Sequence, residues 1–315
     1  MDRIRVGISA CLLGEPVRYD GGHKHDRYLT DTLGRYFEYV PVCPEVESGL
    51  PVPREAMHLT GDAAAPRLVT RTTGIDHTEC MQAWAERRIG ELRDTGLCGF
   101  IFRARSPSSG LFNVKLYDGS GAATGMSVGL WARAFTRAFP RLPVEEDGRL
   151  HDPDLRENFI ERVFALQRFR DEVRAAGSVA VLQAFHARNK LLLMAHAPAA
   201  VSVLGRLVAE ARPADLADAV DAYEQGLLAA MAELATVARH VNVLQHMQGY
   251  FRETLDGADR RELGEAIADY GREVTPLIVP VTLFHHFIRK YGVSYLADQY
   301  YLSPHPAELK LRNHA

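Results

Sequence analysis

Over residues 1–150 short apolar runs alternate with longer amphipathic or loop-like segments. The runs are IRVGISA from Ile4, YVPV from Tyr39, CGFIFRA from Cys98 and NVKLY from Asn113. Each has the length and β-branched or aromatic content of a strand. Between them HDRYLTDTLGRYF and HTECMQAWAERRIGELRDTG read as helices, the second stopped at Gly96. Strands joined by helical crossovers run parallel, so this half is expected to be an α/β domain with an open, mostly parallel sheet. From Asp152 the period changes. LRENFIERVFALQRFRDEV places Phe159, Val163, Leu166, Phe169 and Val173 at helical spacing, and no strand pattern follows, so the second half is expected to be all-α. The proline- and acid-rich stretch PRLPVEEDGRLHDP, Pro140 to Pro153, reads as a linker, which puts the domains at 1–145 and 155–315.

Composition agrees with two globular domains. The chain has 315 residues, 47% hydrophobic and 24% charged, and one domain ordinarily takes ~100–200 residues. The opening MDRIRVGISACLLG lacks the character of a secretory signal, and no stretch has the length of a membrane span. Four cysteines are too few for a disulfide scaffold, so a reducing cytoplasm is expected and the thiols should serve metal binding, catalysis or packing. The net charge of -3 gives no global reason to expect a nucleic-acid partner.

In an open parallel sheet ligands bind at the carboxyl ends of the strands. Cys11 directly follows IRVGISA, Cys43 follows YVPV, and RSPSSG follows CGFIFRA, so all three should share one rim. Cys80, inside a predicted helix, and Cys98, at the entrance of its strand, read as buried thiols. Packing is an alternative for Cys11 and Cys43 too, since a free cysteine behaves as a small hydrophobe. Their surroundings argue for a site: SACLLGEPVRYDGG and CPEVESGLPVPRE combine a thiol with glycines, prolines and charged groups that packing does not need. Glu45 stands two residues after Cys43, and the hydroxyls of RSPSSG beside Arg105 could hold an oxyanion or a polar substrate edge.

The segments SACLLG…VRYDG, CPEVESGLPVPR, RSPS-x-G and NVKLYDG resemble the thiouracil desulfidase (TudS) family across the N-terminal half. FHARNKLLLMAH, HVNVLQHMQGYF and YLSPHPAELKLRNH resemble the helical domain often fused to it, an arrangement similar to that of bacterial tRNA 4-thiouridine desulfidases. The resemblance implies a 4Fe-4S cluster on three cysteines, with Cys11 and Cys43 as two ligands and the third falling where this chain has Ser109. A serine hydroxyl is a harder and far less acidic ligand than a thiolate. We therefore expect a cysteine-to-serine replacement at 109 that leaves the cluster missing, incomplete or weakly held, introduced deliberately or present as a natural variant. The resemblance further implies hydrolytic, redox-neutral removal of sulfur from a thiolated pyrimidine. Glu45 is then the general base, and Ser106 hydrogen-bonds substrate or shuttles a proton, with Ser9, Tyr19, Arg54, Arg105 and Ser108 as substrate contacts.

Between His151 and Ala315 there are 18 Lys+Arg against 21 Asp+Glu, which is not the footprint of a basic RNA-binding module. tRNA remains the expected partner if Arg188, Lys190, Arg239, Arg252, Arg289 and Lys290 gather on one face with His186, His240 and His246, and Tyr250 or Phe251 stacks on a splayed base. A metal site on His240, His246, His285 and His286 is disfavoured, because their spacing does not complete one. Three classes stay open: a tRNA-modifying enzyme, a desulfidase of free thiouracil or thionucleotides, and a protein that only holds a cluster.

Overall fold

The computed structural model describes residues 3–314 and divides into two compact units, the first ending at Asp152 and the second beginning at Pro153. The strands of the first unit are β1 (Ile4–Ser9), β2 (Phe37–Val42), β3 (Met57–Asp62), β4 (Ala65–Thr70), β5 (Gly99–Phe102), β6 (Val114–Tyr117), β7 (Ala123–Ser127) and β8 (Val144–Glu146). Its helices are α1 (Pro44–Glu47), α2 (Thr78–Leu92) and α3 (Leu130–Ala138). One sheet, ordered β2-β1-β5-β8, is parallel throughout, as the alternation of strands and crossovers requires. All four residues of β5 are buried, which is why GFIF reads as an unbroken apolar run. Gly7 of β1 lies opposite Phe100 of β5. A Cβ there would fall 2.2 Å from the Phe100 ring. That missing side chain lets Phe100 pack at 4.3 Å from Phe102 and 4.7 Å from Phe135 of α3. Trp84 of α2 and Trp131 of α3 close the layer at 4.9 Å.

The structure corrects several expectations. NVKLY forms β6, but in a second sheet ordered β4-β3-β6-β7, where hairpins β3/β4 and β6/β7 meet through a parallel β3–β6 pair. After β5 the chain turns through left-handed Arg105 (φ 60°) and Asn113 (φ 53°). Gly110 lies where a Cβ would be 2.4 Å from Val114, so the chain leaves the first sheet in a tightly folded loop. The expected helix at His25–Phe37 shrinks to a wide turn, Tyr28–Thr32, and a tight turn, Leu33–Arg35, started by Asp26 accepting from the Tyr28 amide at 2.9 Å. Thr30, Thr32 and Gly34 are poor helix formers and do not extend it. The expected linker contains β8, with Glu145, Glu146 and Asp147 buried, so the first unit continues past residue 145. Cys80 is exposed, its thiol donating to the Ser48 carbonyl at 3.3 Å.

The second unit is helical as expected: α4 (Pro153–Phe169), α5 (Val179–His196), α6 (Pro198–Glu210), α7 (Leu216–Ala232), α8 (Val237–Gly249), α9 (Gly257–Gly271), α10 (Ile278–Tyr291) and the short α11 (Ser294–Ala297). Phe159, Val163, Leu166, Phe169 and Val173 are all buried, so the helical stripe is the core-facing one. No single helix among the described residues is long and apolar enough to cross a membrane.

The three motifs of this unit converge on a buried polar network. Arg312, 4% exposed, lies between Glu157 and Glu161 at 2.9 Å from each. Glu161 also meets His196 Nε2 at 3.0 Å, while His196 Nδ1 faces the Glu233 carbonyl at 2.7 Å. Burial alone would raise the Glu161 carboxyl, but the bond from His196 and the charge of Arg312 hold it below the usual carboxylate range. His240 pairs with the Tyr301 hydroxyl at 3.0 Å. Burial first, then the Arg312 charge, lowers its imidazole to about 4.

The unfolded chain thus binds a proton on His240 below about 6.5 that the folded unit refuses until about 4, so stability is full above that window and falls as pH drops through it. Glu161 adds loss in the same direction at lower pH. Urea unfolding of the helical unit should show about 1–2 kcal/mol less stability at pH 5 than at pH 7. His240→Gln, which can still bond Tyr301, should flatten that dependence; an unchanged slope would remove His240 as its source.

Candidate active site at the carboxyl rim

From β1 the chain moves to β2 on one side and then crosses to β5 on the other. The carboxyl ends of β1 and β5 therefore flank a topological switch point. A cleft of about 320 Å³ opens there, lined by Ser9, Cys11, Cys43, Glu45, Ser106 and Ser109, with arginines around it.

Each position has a local cause. Cys11 lies in the tight turn Ala10–Leu13, ended by left-handed Gly14 (φ 95°), and its carbonyl accepts from the Lys24 amide at 2.8 Å. Cys43 is the residue before α1. Pro44 supplies a preset helical φ, and Glu47 reaches back to accept from the Cys43 amide at 2.8 Å, which anchors the start of α1. Glu47 is in turn held by Arg88 at 3.2 Å.

The loop after β5 is tied down by the carboxylates that the sequence places in a linker. Asp147 receives the Arg103 guanidinium and, at 2.7 Å, the Ala104 amide. Glu146 accepts from the amides of Leu111 at 2.7 Å and Phe112 at 3.0 Å. Burial raises the Glu146 carboxyl, and those two amides offset part of the effect. Ser9 Oγ accepts from the Arg103 amide at 2.9 Å, joining β1 to the same loop.

The hydroxyls of RSPSSG form a chain leading to Glu45. Ser106 Oγ lies 3.0 Å from Ser108 Oγ and accepts from the Ser109 amide at 3.2 Å, and Ser108 Oγ donates to Glu45 Oε1. Glu45 Oε2 faces Arg54 at 3.8 Å and the Cys43 thiol at 3.6 Å. Both thiols are pushed up by burial, Cys11 to about 11 and Cys43 to about 12. Arg103 counteracts this at Cys11, while Glu45 reinforces it at Cys43. Ser109 is buried and lines the same cleft.

The remaining expected contacts divide. Ser9, Arg54 and Arg105 line the cleft, and Tyr19 stands at its rim with the Arg18 guanidinium 5.5 Å above its ring. Ser108 is fully buried and does not line the cleft, so its hydroxyl positions Glu45 and Ser106 instead of meeting a ligand. Sequence reasoning missed Arg18, Arg71 and Arg103, all on the cleft wall. Arg18 and Arg103 fall within the motifs VRYDG and CGFIFRA, which was the available signal; Arg71 follows β4, a strand that was not foreseen.

In the helical unit several of the expected RNA contacts have partners within the unit. Arg188 pairs with Glu172, Arg239 with Glu233 at 3.1 Å and Lys290 with Asp259 at 2.8 Å. Arg252 is exposed, Lys190 is half-buried, and Tyr250 stacks on Tyr295 at 5.0 Å. His285 bonds the Leu302 carbonyl at 3.2 Å, apart from the Tyr301 partner of His240. Glu157, Glu161 and His305 do lie close enough together to hold an ion, but Arg312 already bridges the two carboxylates.

Residues 6–147 fit the model of 2-thiouracil desulfurase. A solved structure titled as a 4Fe-4S-dependent thiouracil desulfidase, TudS, is 31% identical over 48% of this chain and 95% of its own, with a TM-score of 0.38. Residues 6–147 belong to the 2-thiouracil desulfurase family. Its second part, residues 190–306, fits a family described as a protein of unknown function, DUF1722. Uncharacterized protein YbgA of Escherichia coli (strain K12) is 31% identical over 153 residues, 48% of this chain and 90% of that protein. The family's domain ends at 147, on the last carboxylate that holds the loop.

Glu146→Ala should free two amides in a mostly buried loop at a cost of about 1–3 kcal/mol. Hydrogen exchange of the 103–112 segment should then quicken roughly five- to 150-fold while the helical unit is unaffected. Unchanged protection would show that the loop is held by other contacts.

Proposed function

We propose that this protein is an iron–sulfur-dependent desulfidase of thiolated pyrimidines, with 4-thiouridine in tRNA as the substrate that suits a two-unit chain, acting in the reducing cytoplasm where its thiols stay free. The observation that carries this reading is the convergence of Cys11, Cys43, Ser109 and Glu45 on one cleft at the switch point of the parallel sheet.

The donors suit a cluster in kind and spread, with one exception. Among the described residues the Cys11, Cys43 and Glu45 ligand atoms do not form the tight group that a single ion would need, whereas a polynuclear cluster spreads its ligands wider. Cys11 and Cys43 would hold it, with Ser109 as a weak third ligand, because an alcohol oxygen is hard and protonated where iron–sulfur clusters take thiolate. When bound, the cluster supplies a thiophilic iron that withdraws electron density from the carbon–sulfur bond.

The chain's own residues do the proton work. Glu45, oriented by Ser108 and Arg54, takes the proton of the attacking water. The new carbon–oxygen bond forms as the carbon–sulfur bond breaks, and sulfide leaves with the electron pair, so no electron donor is needed. Ser106 donates to Ser108 and Ser108 to Glu45, which leaves Ser106 Oγ to accept from a ring N–H of the pyrimidine and makes the two hydroxyls a path by which a proton can pass between Glu45 and the substrate.

A second reading, turnover of free thiouracil or a thionucleotide, is favoured by the pairing of Arg188, Arg239 and Lys290 with acids of their own unit.

Ser109→Cys, reconstituted without oxygen, should gain visible cluster absorption and release sulfide when thiolated tRNA and free thiouracil are offered side by side. No gain in either signal over the Ser109 protein would sink the replacement idea. Adding Glu45→Gln to that variant should keep the absorption and lower sulfide release by about 10²–10⁴-fold. Equal turnover would exclude Glu45 as the base.

A further inference from the structure

A second groove adjoins the thiol cleft and has no part in the chemistry proposed above. Its volume is about 540 Å³, and it shares Met57, Arg71, Arg105 and Pro107 with the cleft wall. Beyond that shared wall it runs over the second sheet, past His58 of β3 and Lys115 and Tyr117 of β6. No carboxylate lines it.

We propose that this groove is a subsite for the phosphodiester backbone of an RNA strand whose thiolated base enters the cleft. The inference rests on the desulfidase reading for the base, and on the groove itself for the strand. Three cations, Arg71, Arg105 and Lys115, are exposed there, and none has an ion pair among the described residues. By contrast Arg188, Arg239 and Lys290 of the helical unit are each bound to an acid. An unpaired cation is available to a phosphate without first breaking a contact.

The aromatic and polar groups fit the same ligand. Tyr117 lies under the Arg71 guanidinium at 5.9 Å and edge-on to His58 at 5.4 Å, and Met126, 53% exposed, offers an apolar surface beside them. His58 Nδ1 has no hydrogen-bond partner among the described residues. Stacking surfaces interleaved with unpaired cations are what a single strand requires. Left-handed Arg105 (φ 60°) stands at the junction and lines both spaces, where the phosphate adjoining the reacting nucleotide would lie. A free thiouracil fills only the cleft and leaves the groove unused.

The test measures fluorescence anisotropy of a labelled single-stranded RNA oligonucleotide carrying one 4-thiouridine, titrated with the full chain over a salt series. Arg71→Ala and Lys115→Ala should each weaken binding roughly three- to tenfold and lower the salt slope by about one. Arg87→Ala, an exposed cation on α2, should change neither. A double Arg71→Ala/Lys115→Ala variant that binds with the original affinity and slope would overturn the proposal. So would displacement of the strand by 4-thiouridine 5′-monophosphate at equal concentration, which would make the ligand a single phosphate. Sulfide release is read separately: strand binding that depends on the groove without sulfide release from the reconstituted Ser109→Cys protein would leave the groove standing and remove the desulfidase reading.

Discussion

Two adjacent carboxylates at the end of β8 hold the site together. Asp147 takes the Arg103 guanidinium and the Ala104 amide, and Glu146 takes the amides of Leu111 and Phe112. Between those anchors run the hydroxyls of Ser106, Ser108 and Ser109 and the glycine that lets the loop fold on itself. Without acceptors, buried amides would cost more than the loop could recover from packing. Strand β8 is short, yet it decides where Ser109 and the hydroxyl chain lie relative to Cys11 and Cys43.

The cleft balances opposed charges around two thiols. Burial makes both reluctant to ionise, Arg103 eases that at Cys11, and Glu45 adds to it at Cys43. Such thiols gain most from a soft metal partner, which replaces the proton and supplies the charge compensation that the protein withholds. Ser109 stands in the same buried position with a hydroxyl, so the fold offers the place for a third donor without its chemistry. Glu45 is oriented by Ser108 and Arg54, so its position is set by the packing of the loop after β5 and by Arg54.

The helical unit follows a different economy. The motifs FHARNKLLLMAH and YLSPHPAELKLRNH supply His196, Tyr301, His305 and Arg312 to one buried network around Glu157 and Glu161. Removing one member of such a network leaves an uncompensated buried charge, so these residues hold the C-terminal segment against α4. Arg188, Arg239 and Lys290 on its surface are committed to neighbouring acids, whereas Arg71, Arg105 and Lys115 beside the thiol cleft of the first unit have no ion pair among the described residues.

The residues themselves determined the class of both units, because a strand buried on both faces and a helix with one apolar stripe leave different periods in the chain. They also determined the rim: Cys11, Cys43 and RSPSSG each directly follow an apolar run, and parallel strands bring such positions to one edge. What periodicity does not encode is pairing. NVKLY has a strand's alternation in either sheet, and only the turns at Arg105 and Asn113 sent it to the β3 hairpin, creating the groove beside the cleft. PVEEDG looks like a solvated linker because three consecutive acids ordinarily seek water. Tertiary structure made them interior by giving them Arg103, Arg149 and three loop amides as partners. Likewise Ser108 and Ser106 are alike in sequence, but one is enclosed and positions Glu45 while the other faces the cleft, a difference of burial that only the packed loop could impose.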